Sequence, residues 1–440
     1  MKTIRKIALF IIALFFLMIW SGVIRNVTLG GTSMGPLTTP IKSFSEGISN
    51  MKRTYEYIVN APDYYIKTKE EDREGINNLG YNLYGLYSFR NGNEYKIQLK
   101  NFKDNTIKYE WIIPEDRLSS RYSVDENDRL YPAMLMDNKD VIVSCNERPG
   151  LFRVDASSKE KWFNGDFIYH HAMNTDSLGH IWIPGANHDK GKLVPRKVSL
   201  DGMETDYRDD LIVQVDAETG KTLYHKSLTE IFTENKLEYL INKSPYTNDP
   251  FHLNDIQPAL FSSLYFEEGD LFLSFRSPSL IIQYRPKVNK VIKIFEGPFL
   301  FQHDVDIISP NSIAILNNNT IATQIIQKEI EFKPTNQTVD RKINHSNVLI
   351  YNFDEDTYTP LYEEPFKEHS IFTDAEGLYR ILPNGDLFFE EQGSGILWVL
   401  NEKGVVLKTT LESNINGYHY LPNWTTTYLD NELEALNYKL

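Results

Sequence analysis

A strand pattern that repeats constrains this chain more than any other feature. The unit opens with a short strand and a turn of the Asn-Gly or Asp-Asn kind. A strongly apolar strand follows, then a gap, a third strand and a fourth. Clear copies run through 135–155, 175–221, 268–284, 308–352 and 382–404, and 86–111 supplies a weaker first copy. About six units, spaced by roughly 40–80 residues and each holding four short antiparallel strands, match the blades of a β-propeller. One blade cannot bury both of its faces, so blades stack in a ring and share a core. Helix-period runs are scarce beyond the N-terminus, which disfavours parallel α/β folds. A β-sandwich is the main competitor, but it has no need of six similar units. Tyr and Phe, at 26 and 24 residues, favour strands. The expected fold is all-β, a six-bladed β-propeller, with a closing strand from the tail through Thr425–Tyr428.

The N-terminus reads differently. Lys2, Arg5 and Lys6 precede an apolar run from Ile7 to Trp20, extended to Ile24. This length lies between a signal-peptide core and a short transmembrane helix. No Ala-x-Ala-like cleavage site follows, which favours an uncleaved anchor. The basic residues would then stay inside and the body would be exported, to the periplasmic or extracellular face. The expected division is an anchor helix over 1–24, a tether over 25–75 containing the charged run Lys67–Glu74, and a catalytic propeller over 76–440. Cys145 is the single cysteine, so no intramolecular disulfide can form, and its strand-like context predicts a buried thiol. The formal charge of −14 argues against a nucleic-acid partner.

Against that acidic background, four segments are a local exception. His170-His171, His252 and His303 stand at or just before the first strand of successive units, and Arg276 ends a second strand. In a ring these positions converge on one mouth of the central channel. His and Arg together suit a tetrahedral oxyanion. Arg supplies a planar fork of donors and a permanent charge, and His can act as nucleophile, base or acid. Asn254, two residues beyond His252, adds an amide donor on the same face. Thr373 precedes the corresponding strand of the sixth unit.

A single such histidine is more often structural than catalytic, but several at equivalent repeat positions alter that balance. Three histidines can also hold zinc with one position open. Arg276 beside a metal would be repulsive, and no carboxylate accompanies the histidines at close ligand spacing, so no metal is expected. His180, His188, His225, His345, His369 and His419 lack a matching context and are read as surface or loop residues. Two other functions use the same residues: a non-catalytic propeller binding an anionic, sulfated glycan at the cell surface, and a metal-dependent hydrolase or lactonase.

Together the segments resemble the bacterial arylsulfate sulfotransferase family over roughly residues 83–410. The matching pieces are His170-His171 before Asp176-Ser-Leu-Gly-His-Ile-Trp, His252-x-Asn254, Ser274-Phe-Arg276-Ser, Gln302-His303-Asp-Val and Thr373-Asp-Ala-Glu-Gly377. The resemblance implies a six-bladed propeller enzyme independent of the nucleotide donor PAPS. Such an enzyme moves a sulfuryl group from an aryl sulfate to a phenolic or other hydroxyl acceptor by a ping-pong route, with no cofactor or metal. By that likeness His303 is transiently sulfated. His252, Asn254 and Arg276 grip the sulfuryl oxygens, Thr373 is an extra donor, and His171, or else His170, holds the sulfate or handles the phenolic proton. The likeness leaves room for a homodimer. Leu253 and Asp255 flank Asn254 where the family carries a small hydroxyl after the Asn, and the family's disulfide and separate N-terminal β-domain have no counterpart.

Overall fold

The computed structural model describes residues 15–17, 19–21, 23, 24, 64–121, 128–200, 203–320 and 345–438. The chain divides into two compact units, Met1–Pro62 and Asp63–Leu440. In the first, the described residues are helical and expose Phe15, Phe16, Leu17, Ile19 and Trp20. Most of the expected anchor over 1–24 lies outside the described residues. Among the described residues no helix is long and apolar enough to cross a membrane.

The second unit is built from antiparallel strands. Among the described residues they pair into three four-stranded sheets, one sheet of eight strands, one of seven and two two-stranded ribbons. Counted as runs of four in chain order, the eight-stranded sheet holds the second group (Leu130–Tyr169) and the third (Asn174–Ser227), and the seven-stranded sheet holds the sixth (Leu378–Glu412). The fourth is typical, pairing Leu253–Pro258, Leu271–Phe275, Leu280–Arg285 and Lys290–Phe295 in chain order. The fifth is His303–Ser309, Ser312–Asn317, Asn347–Asn352 and Thr357–Leu361. The first group draws one strand from the far end of the chain, because Asn423–Tyr428 pairs with Tyr84–Asn91 and matches Tyr84 to Tyr428. The tail thus supplies the expected closing strand.

The second strand of each group reads as a short apolar run because both of its faces are covered. Leu271, Phe272, Leu273 and Phe275 are all fully buried, and Ile313, Ala314, Ile315 and Leu316 repeat the pattern. Each face packs on a different neighbour. Ile97, Trp111 and Ile113 meet Val141 and Phe152 between the first and second groups. Phe275 and Ile282 meet Ile212 between the third and fourth, and Phe272 and Phe295 meet Ile313 and Ile315 between the fourth and fifth. The sixth group returns to the first, where Phe388, Leu397 and Val399 pack on Tyr87, Phe89 and Phe102. Removing one such side chain would cost about 2–5 kcal/mol, because two groups line the cavity it leaves.

Successive groups are joined by a repeated polar device. A buried carboxylate of one group accepts a backbone N–H near the start of the next group's first strand. Asp210 takes Leu253 N at 2.8 Å, Asp255 takes Val305 N at 2.9 Å, and Asp304 takes Tyr379 N at 3.3 Å. Glu390 takes both Trp424 N and Thr425 N, at 2.9 and 2.7 Å. Three of these amides need side-chain acceptors because the residue before them is left-handed: His252 (φ 49°) precedes Leu253, Asp304 (φ 52°) precedes Val305 and Trp424 (φ 53°) precedes Thr425, and each turn takes the next amide out of the ladder.

Two expectations about the edges are corrected. The compact unit begins at Asp63, not at 76. Tyr65–Lys67 pairs with Tyr418–Tyr420, and Tyr65 packs on the Tyr420 ring, so the tether is shorter than its composition suggested. Only Glu70–Asp72 of the charged run makes a helical turn. His419, read as a surface residue, is buried between Thr68 Oγ1 and the Ser394 carbonyl. Cys145 is buried as expected.

Candidate active site

His171, His252 and His303 enter from the third, fourth and fifth groups, and their ring nitrogens lie within 4.8 Å of one another. The His171 ring centre is 4.9 Å from that of His252 and 6.0 Å from that of His303. Trp424, from the closing strand, stands edge-on to His171 and His303 at 5.6 and 6.5 Å. His171, like His252, has a positive φ, at 58°. Such left-handed, non-glycine entries cost of order ~1–3 kcal/mol each and gather where function over-determines the backbone.

Each histidine is held through Nδ1. At His303 this nitrogen faces two acceptors, Asn318 Oδ1 at 2.7 Å and the Phe301 carbonyl at 3.1 Å, so it must carry the proton. Nε2 is then a lone pair, which receives the Glu376 backbone N–H at 3.3 Å. Burial, and then the charge of Arg276, push His303 down to about 3, so the ring is neutral at ordinary pH. His252 Nδ1 meets Asp249 Oδ2 at 2.5 Å. That carboxylate lies three residues upstream, so a carboxylate does accompany a histidine, contrary to the expectation from spacing. His171 Nδ1 lies 2.8 Å from His170 Nδ1. Burial, and then the neighbouring histidines, hold His171 well below the usual histidine range.

Arg276 supplies the positive charge that acts on His303. Its backbone N–H donates to the His252 carbonyl at 3.1 Å, tying it to the same turn. The guanidinium lies over Phe301, with its carbon 4.7 Å from the ring centre, and Nε is buried with no hydrogen-bond partner among the described residues. A permanent cation with an uncommitted donor can receive an anion here.

The remaining expected residues take other positions. Asn254 is fully buried and donates Nδ2 to the Gln302 carbonyl at 2.7 Å, which braces the residue before His303. Thr373 commits its hydroxyl to the Ala375 carbonyl at 2.7 Å, and its own carbonyl receives Asn318 Nδ2 at 3.1 Å. It stands behind His303 and holds the loop that supplies the Glu376 amide. His170 sits behind His171, with Nε2 3.4 Å from Asp210 Oδ1. Asp249, Asn318, Glu376, Trp424 and Asp210 were not found from sequence. Only Asp249 stood within one turn of a chosen histidine; Asn318 follows the strand paired with that of His303, and the others lie far away in sequence.

The three rings could enclose a small cation by distance alone. Arg276 acting on His303 and the amide on His303 Nε2 both suit an anion better.

No curated protein sequence matches the chain. Among solved structures, a protein of unknown function from Bacteroides caccae aligns at 9% identity over 79% of this chain and 99% of its own, with a TM-score of 0.47. TolB from Acinetobacter baumannii aligns at 12% identity over 88% of this chain and 72% of its own, with a TM-score of 0.43. A catalytically inactive virginiamycin B lyase from Staphylococcus aureus aligns at 9% identity over 82% and 96%, with a TM-score of 0.40. The arylsulfotransferase (ASST) family model matches residues 133–410, which span the three histidines, Arg276 and Thr373, and the chain belongs to that family.

Proposed function

We propose that this chain is a PAPS-independent aryl sulfotransferase that works through a sulfo-histidine at His303, on a six-bladed propeller. The tautomer of His303 carries this reading. Its Nδ1–H is fixed by two carbonyl oxygens, so Nε2 carries the lone pair, which exchanges the Glu376 N–H for the sulfur of the donor. Attack of Nε2 on the sulfur of an aryl sulfate breaks the S–O bond to the aryl group and releases the phenolate. The sulfated ring is an imidazolium, and the same two oxygens stabilise its Nδ1–H. A hydroxyl acceptor then attacks sulfur, breaks the N–S bond and restores the neutral histidine. Arg276 meets the charge on the sulfuryl oxygens in both steps.

In this reading His252 and the second N–H of Asn254 are further donors, and Thr373 acts through the His303 loop. Membrane attachment through residues 1–24, export of the propeller and a homodimer belong to the same proposal, motivated by the basic-then-apolar N-terminus and the family. The test is to mix the protein with 4-nitrophenyl sulfate without acceptor, follow the nitrophenolate burst, and locate the added sulfuryl mass by peptide mass spectrometry. A burst with the mass on His303 is expected. Turnover with no protein-bound sulfuryl group, or the group on another residue, would overturn the mechanism. Binding of sulfated glycan with no cleavage of any sulfate ester would favour the non-catalytic reading.

A further inference from the structure

The Trp424 indole that stands edge-on to His171 and His303 also lines a cavity of about 520 Å³ that the reaction at His303 does not use. The cavity follows the first strands to Ile308 and Pro383, which are exposed and mark its mouth. Much of its wall is apolar, with Met173, Ile307 and Leu378 among the lining side chains. Two carboxyls, Asp304 and Asp306, interrupt that wall. Asp255 lies behind them with both oxygens committed, one to Asn174 Nδ2 at 2.7 Å and one to the Val305 amide at 2.9 Å. Asp304 commits one oxygen, to the Tyr379 amide at 3.3 Å, and Asp306 takes no backbone amide.

Among the described residues Arg380 is the one cationic side chain on this wall. Its guanidinium is already held by both oxygens of Glu432, with Nη1 3.1 Å from Oε2, and by the Thr427 carbonyl. Burial, and then repulsion from Asp306 and Asp255, hold Asp304 above the usual carboxylate range, and burial raises Asp306 to about 6. Protons on these carboxyls do what a bound cation would do. Two hydroxyls point the same way. Tyr379 Oη and Thr427 Oγ1 have no hydrogen-bond partner among the described residues, on lining side chains that are each 2% exposed. Tyr379 Oη faces Asp306, Asp304 and Asp255. It stands close enough to Asp306 to favour the ionised form, yet outside hydrogen-bond geometry. A buried phenol normally finds a partner, so this hydroxyl and the two carboxyls offer three acceptors to one donor group.

We propose that this cavity binds a primary ammonium group on a short apolar stem, with the ammonium held by Asp304, Asp306 and the Tyr379 hydroxyl and the stem along Ile307 and Leu378. The proposal does not rest on the sulfotransferase reading. An ammonium has three N–H donors for these three acceptors, and charge strengthens each bond. A divalent metal fits less well. The described sets of three ligating groups close enough to share one ion both contain His171, and calcium takes six to eight oxygens. A neutral polyol would leave both carboxyls without a counter-charge. When the ammonium binds, the carboxyl protons pass to solvent and the N–H donors take their place. The charged or titratable groups facing it are Asp304, Asp306, Asp255, Tyr379 and the Arg380–Glu432 pair. Affinity therefore rises as the pH is raised through about 6, where Asp306 ionises.

The test is calorimetric titration of the full chain, at millimolar ligand, with n-butylammonium and separately with n-butanol, calcium chloride and glucose. One n-butylammonium should bind per chain, and n-butanol should bind at least about tenfold more weakly. The heat with n-butylammonium should change with the protonation enthalpy of the buffer, because protons are released. Asp306→Asn, which disturbs no backbone bond, should weaken n-butylammonium about tenfold or more. Tyr379→Phe leaves both carboxyls in place and gives an independent reading, a smaller but measurable loss. Equal binding of n-butanol would make the cavity merely apolar and overturn the proposal. Tighter binding of calcium or glucose would overturn it in favour of a metal or a polyol. Binding unaffected by both substitutions would put the ammonium elsewhere on this acidic chain. No binding of n-butylammonium would make the cavity a water-filled passage and sink the inference, whatever nitrophenolate release says of the chemistry at His303.

Discussion

The same first strands carry two unlike regions. Where they begin stand His171, His252 and His303 with Arg276, and burial holds the His171 and His303 rings neutral beside a permanent cation. One to three residues further along, Asp304 and Asp306 line a cavity of about 520 Å³ with Tyr379, Asn174 and Trp424, and Asp255 is buried close by. Burial and mutual repulsion push Asp255 up to about 8, burial pushes Asp306 up to about 6, and Asp304 lies well above the carboxylate range. Burial removes the charge in both regions, by stripping protons from histidines in one and keeping them on carboxyls in the other. The difference lies in what the groups do with their hydrogen bonds. Asp255 is saturated, taking Asn174 Nδ2 at 2.7 Å and the Val305 amide, whereas Arg276 Nε is unpaired. Saturation marks scaffolding.

The largest effect should separate the regions outright. His303→Ala should reduce nitrophenolate release from 4-nitrophenyl sulfate to background while the circular dichroism of the β-sheet stays unchanged; normal turnover would remove His303 from the chemistry. Next, Arg276→Ala is expected to lower kcat by about 10²–10³-fold, the equivalent of roughly 2.7–4 kcal/mol of lost charge stabilisation. Arg276→Lys should recover only part of this, because a point charge does not replace a planar fork. A full recovery would mean that only net charge matters at this mouth.

Smaller effects test the scaffold. Thr373→Val removes the bond to the Ala375 carbonyl and should cost about 0.5–1.5 kcal/mol of stability, read by denaturant unfolding. Its effect on kcat should stay well below that of Arg276→Ala, and a loss as large would show that the hydroxyl reaches substrate. The two regions should also pull the pH dependence of stability in opposite directions. His303 titrates lower in the fold, so its contribution is present above about pH 6.5 and is lost as pH falls towards about 3. Asp255 titrates higher in the fold, so its contribution is present below about pH 4 and is lost as pH rises through about 8. Asp255→Asn should therefore flatten the alkaline decline in melting temperature and leave the acid decline in place. An unchanged alkaline slope would show that Asp255 is ionised in the native protein.

Much of this was legible in the chain. Strand runs such as Leu271–Phe275 and Ser312–Asn317 are apolar throughout because neighbours cover both faces, and that pattern survives in one dimension. The placement of His171, His252 and His303 at equivalent repeat positions survives too, since a repeat converts spacing along the chain into position around a centre. The extent of the tether was misjudged, because Tyr65–Lys67 gains its order only by pairing with Tyr418–Tyr420, some 350 residues away.

The sequence by itself determined the strand repeat, the family and the list of residues that can carry charge at the centre. The tertiary structure alone decided which proton sits on which nitrogen. Asn318 reaches His303 Nδ1 from just past the end of the adjacent strand, fifteen residues on. The physical reason is that a tautomer is set by an acceptor within about 3 Å, a distance that only folding creates.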